Sequence, residues 1–120
     1  EYGLAISRYF GEVDIESMYS VDIDMKQDFL FNLKDKIDEE KINLLVCHIG
    51  KDYPELQAMI DMNSFGLPDM SKHREAELHA LIAATQQNIF EKNNIKLINY
   101  RDLIKKIGLD KMNSPVESGY

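Results

Sequence analysis

The chain has 120 residues, 44% of them hydrophobic and 29% charged, a globular balance that leaves room for one modest core and argues against overall disorder. Its formal net charge of -7, from 14 basic against 21 acidic side chains, argues against a nucleic-acid partner, whose phosphates require a clustered basic face. The single cysteine excludes an intrachain disulfide and a cysteine-built zinc site, and no apolar run approaches the roughly 18 residues of a membrane span.

Taken in chain order, Glu1 rather than Met opens the sequence and leads straight into apolar residues, as expected of a cut or processed chain. No signal peptide is visible, so the compartment stays open. Leu4-Ala5-Ile6-Ser7, followed by Tyr9 and Phe10, suggests a short strand. Residues 11–24 lack a sustained period and read as an ordered loop. Asp24 then stands as an N-cap with Gln27 three residues on, the spacing of a capping box. Phe29, Leu30, Leu33 and Ile37 fall at helical spacing, which predicts a helix to about Glu40.

Residues 42–49 are the clearest strand. Leu44, Leu45, Val46 and Ile49 make it nearly continuous in apolar character, as in parallel strands covered on both faces, and Gly50 ends it. Pro54 suits the first turn of a short helix carrying Leu56, Met59 and Ile60, with Asp52 as its cap. Gly66 and Pro68 mark a loop. The longest helix is expected over 72–92, capped by Asp69 or Ser71, with Leu78, Leu81, Ile82, Thr85 and Ile89 as its buried face and Asn93-Asn94 as its stop. A second strand is expected over 96–100, followed by a helix over 101–107 that Gly108 closes, and a loose tail beyond residue 112. Alternating strands and helices predict an α/β fold of parallel strands with helical crossovers, a single domain over residues 1–112. Two or three strands cannot close a barrel, so an exposed sheet edge is expected, open to a second copy of the chain.

His48 is the candidate catalytic residue. It lies at the carboxyl end of the predicted buried strand, the edge where catalytic groups collect in α/β folds, and imidazole suits general acid/base work. His73 and His79 stand six apart and share no helix face, so a solvated, charge-rich face is the expected role of residues 73–79, with no metal held there. The acids Asp14, Glu16, Asp22 and Asp24 lack the register of a calcium loop, and the six methionines are scattered as core filler. Cys47, inside an apolar run, reads as a buried inert thiol. No phosphate-binding glycine loop or nucleophile elbow is present.

The stretch Leu44-Leu45-Val46-Cys47-His48-Ile49-Gly50-Lys51-Asp52 resembles the YdjC-like carbohydrate deacetylases, whose late strand ends in a Cys-His-Pro-Gly type motif. Pro54-Glu55-Leu56, Arg74-Glu75-Ala76-Glu77-Leu78 and the run from Ile95 to Leu103 match further motifs of that family in order, so the resemblance spans residues 10–107. Ile49 stands where the family has proline. The resemblance implies the C-terminal part of a distorted (βα) barrel in a metal-dependent hydrolase that removes acetyl groups from N-acetyl amino-sugar oligosaccharides. It implies a divalent metal, zinc or magnesium, held by an aspartate and histidines of an earlier segment whose motifs do not occur here, so this chain alone is expected to be inactive and metal-free. It also places His48 beside the metal-bound water and the substrate. The alternative is a non-catalytic α/β interaction module.

Overall fold

The computed structural model describes residues 10–113. The predicted strand at residues 4–7 and the tail from residue 114 lie outside the described residues. The elements, in order, are β1 (Val13–Asp14), α1 (Lys26–Phe31), β2 (Asn43–Leu44), α2 (Pro54–Gln57), α3 (Met70–Gln86), α4 (Ile89–Lys92) and α5 (Tyr100–Ile107). Single 3-10 turns at Met18–Ser20, Ile23–Met25, Leu33–Lys36 and Leu109–Lys111 fill the connections.

This is not part of a (βα) barrel. About half of the described residues are helical, and the sheet is one pair of two-residue strands. β1 and β2 run parallel in the register Val13 to Asn43 and Asp14 to Leu44, joined through α1. Val13 N–H donates to the Ile42 carbonyl and Ile15 N–H to that of Leu44, each at 2.9 Å. The strand expected over 42–49 stops at Leu44 because its ladder does not continue. Further along the segment, His48 N–H donates to the Glu77 carboxylate and Gly50 N–H to the Arg74 carbonyl at 3.3 Å. An amide satisfied by a helix side chain has no need of a neighbouring strand. Val46 and Ile49 accordingly stand about half exposed, at 50% and 55%, where full cover was expected. The second expected strand, 96–100, is also absent: residues 95–99 are irregular and Tyr100 already belongs to α5.

The core lies between α1 and α3. Phe29, Leu30 and Leu33 of the α1 region are buried as their spacing predicted, against Met18, Ala80, Ala84 and Phe90. Small side chains at Ala80 and Ala84 let the two helices approach closely. The α1 helix is shorter than expected, ending at Phe31, where Asn32 Nδ2 donates back to the Asp28 carbonyl at 2.9 Å. Asp24 makes no capping bond. It sits inside a 3-10 turn, and Met25 occupies the N-cap.

The inward face of α3 differs from the expected one. Ser71, His73, Glu77, Ala80 and Ala84 are buried, whereas Leu78 is only partly covered and Ile82 is 44% exposed. Leu81, Ile82, Thr85 and Gln86 instead line an open, mainly apolar depression of about 240 Å³. The long helix also breaks earlier than predicted. Asn88 adopts φ 53°, a left-handed conformation that asparagine tolerates, and separates α3 from α4. The predicted stop at Asn93-Asn94 is present, with Asn94 at φ 56°. α2 begins at Pro54 and α5 ends at Gly108, both where expected. Gly108 has φ 99°, a region costly for any residue with a Cβ.

Candidate functional site

The residues around His48 come from several segments of the chain. The Met18–Ser20 turn carries Tyr19, α1 opens with Lys26, the segment after β2 carries Cys47 and His48, and α3 supplies His73 and Glu77. The His48 and Tyr19 rings stand 5.0 Å apart between centroids and are tilted by 51°. The His73 ring lies 6.0 Å from that of Tyr19 between centroids. His48 itself is exposed, so its imidazole is open to solvent while its main chain is anchored inside.

Bonded to the same segments is a buried ionic pair. Lys26 and Glu77 have side chains with no solvent exposure, and Nζ stands 3.8 Å from Oε1, an ionic contact beyond hydrogen-bond reach. Lys26 Nζ donates to the carbonyls of Met18 at 2.8 Å and Tyr19 at 3.0 Å. Glu77 Oε2 accepts the His48 N–H. Burial pushes the Lys26 ammonium below the ordinary lysine range, and the Glu77 charge partly opposes that shift. Glu77 Oε1 has no hydrogen-bond partner, and the same is true of His73 Nδ1. His73 Nε2 faces Asp69 Oδ1 at 3.3 Å.

Residues 73–79 are therefore not a uniformly solvated face. His79 is exposed, but His73 and Glu77, four apart, point into the molecule. Helical spacing placed the two on one face and did not say that the face was internal. The absence of larger apolar residues at positions 73, 77, 80 and 84 directed attention to the Leu78–Ile82 stripe instead. Tyr19 and Lys26 carried no sequence signal at all, because their partners lie far along the chain.

Next to this cluster the loop and the helix are laced together. Asp52 N–H donates to Glu75 Oε1 at 3.3 Å, and the Ser71 hydroxyl donates to Asp52 Oδ1 at 2.6 Å. Asp52 and Ser71, both expected as helix caps, thus bind each other across the interface. That hydroxyl and the Gln57 amide hold the Asp52 carboxyl below its usual range. The loop passes close to α2 at Gly50, where a Cβ would meet Leu56 Cδ2 at 2.6 Å and oblige that side chain to shift. Cys47 is half-buried, and its burial, followed by the Glu77 charge, pushes the thiol up. That environment suppresses the thiolate, in keeping with an inert role.

Among the described residues, no group of three or more His, Cys, Asp or Glu is placed to hold a metal ion. His48 and His73 flank Tyr19 without converging on a common point with a carboxylate. No helix among them is long and apolar enough to cross a membrane. Comparisons with protein-family models, with curated proteins and with solved structures find no match.

Proposed function

We propose that this chain is a C-terminal part of a metal-dependent deacetylase acting on N-acetyl amino-sugar oligosaccharides, with His48 at the reacting bond. The observation that carries the reading is spatial. The His48–Asp52 segment and the Arg74–Glu77 turn of α3, two of the motifs on which the resemblance rests, are held against each other through His48 N–H, Gly50 N–H and Asp52 N–H. Their convergence leaves the His48 imidazole exposed above a buried anchor, as a group that meets substrate requires.

The described residues do not by themselves fit the divalent metal that the reading implies, and no step is derived through it. What this chain supplies is a proton at His48. Acetamide hydrolysis adds water to the acyl carbon and breaks the C–N bond, and the departing amine nitrogen must gain a proton as it leaves. An exposed imidazole N–H is suited to deliver it. In the complete enzyme, His48→Ala is expected to lower kcat about 10²–10⁴-fold with folding and metal content unchanged. Retained kcat in a folded, metal-loaded variant removes His48 from the mechanism.

A second reading, a non-catalytic interaction module, draws on the large apolar side chains left open, with Met62 87% and Phe65 84% exposed. Substrate turnover that depends on His48 decides against it.

A further inference from the structure

The Lys26–Glu77 pair is unusual in where its remaining hydrogen bonds go. Each partner is fully buried, and each also bonds the main chain beside one of the two rings. Glu77 Oε2 takes the amide of His48, while Lys26 Nζ holds the carbonyls of Met18 and Tyr19. The ionic contact at 3.8 Å links these two grips, and the His48 and Tyr19 rings stand 5.0 Å apart between centroids. Stability alone does not account for such a pair. A buried ion pair is commonly matched or exceeded by apolar residues of similar volume, whereas losing one partner leaves an uncompensated charge. What its hydrogen bonds do hold is the main chain at His48 and at Tyr19, whose rings stand 5.0 Å apart.

We propose that Lys26 and Glu77 are positioning residues that set the His48–Tyr19 ring pair. The inference rests on the proposed function only for its consequence, the placing of a proton donor. The contact itself is a property of this chain and is testable without substrate.

The test is nuclear magnetic resonance on the 120-residue chain, with the Lys26→Met/Glu77→Leu double variant beside the wild type. Cross-peaks between the His48 and Tyr19 rings should be present in the wild type. The double variant, with its apolar pair, should fold with a Tm near that of the wild type yet lose those cross-peaks. Its His48 Cε1–H resonance should move to the position found in Tyr19→Leu, which lacks the ring current. A merely structural pair predicts the same recovered stability with an unchanged His48 signal. Cross-peaks retained in the folded double variant overturn the proposal, as does their absence from the wild type.

If the double variant does not fold, Glu77→Gln decides. It keeps the shape and a neutral acceptor, so the His48 amide proton should exchange roughly tenfold faster, since a bond to a charged group is stronger by about 1 kcal/mol or more. An unchanged exchange rate in folded Glu77→Gln overturns the proposal. Should the spectra bear it out while His48→Ala leaves deacetylation intact, the functional reading falls and the positioning role stands.

Discussion

At the level of single residues, the charges worth attention are those that burial has made costly. Glu77→Leu alone would leave Lys26 inside without its counter-charge, and a loss of about 3–5 kcal/mol in urea unfolding is expected, the usual cost of breaking one side of a buried pair. The double change to Met and Leu should recover much of that loss. The pH dependence has two opposing parts. For Lys26, the folded state holds its proton less tightly than the unfolded chain, so its contribution to stability rises with pH through the alkaline range toward the ordinary lysine value of 10.5. For Cys47, the folded pKa lies above the ordinary 9.0, so stability present below 9.0 is lost as pH rises through the folded value. Comparing Cys47→Ala with Cys47→Ala/Lys26→Met isolates the lysine. Their difference in Tm should move in favour of Lys26 as pH approaches 10.5. A difference that stays flat over that range would mean the ammonium is not desolvated. In the wild type at pH 8, alkylation of Cys47 should be slower than that of an unfolded control.

At the level of elements, α3 determines how the molecule is organised, because its inner face touches both the core and the candidate site. Two substitutions test its orientation. Ile82→Lys should change stability by no more than about 0.5 kcal/mol, since the side chain borders an open depression. Ala84→Leu should cost about 1–3 kcal/mol by forcing α1 and α3 apart, because Ala84 is wholly buried. The reverse order of effects would mean that the helix is rotated. α5 provides an independent measure of local structure. Asn99 accepts from Asp102 N–H at 3.0 Å and Asp102 accepts from Asn99 N–H at 3.2 Å, a reciprocal capping box. Asn99→Ala should therefore cost about 1 kcal/mol in thermal unfolding.

On the scale of the whole molecule, the described residues centre on the α1–α3 helix pair with a minimal parallel β-link, and the polar cluster and the apolar core share α3. Coupling between them follows: a change that unfolds α1 from α3 also releases Lys26 from Glu77. Because no three metal-ligating side chains converge among the described residues, calorimetric titration of the chain with zinc or magnesium should give weak heat at most. Sub-micromolar binding at one site would redirect attention to His73 and Asp69, which already face each other at 3.3 Å. Among the described residues the sheet has only two strands, and sedimentation over a concentration series measures whether its edges pair with a second copy.

What could be read directly from residues was what depends on near neighbours along the chain. Pro54 starts a helix because its ring presets φ, Gly108 ends one because it accepts a positive φ, and Phe29, Leu30 and Leu33 share a face because helical geometry puts them there. His48 was read at the carboxyl end of a buried strand, but that strand ends at Leu44, and His48 stands exposed four residues beyond it. Distant contacts decided the remainder. Residues 45–49 and 96–100 have the apolar character of strands, but a strand exists only where a neighbour completes its ladder, and α3 took the His48 and Gly50 amides instead. Both faces of α3 were compatible with helical spacing. The small Ala80 and Ala84 brought one of them against α1, and that choice carried Glu77 inward to meet Lys26 across 51 positions of sequence. No local pattern encodes such a pair, because the free energy that places it belongs to the packing of two helices rather than to either charge.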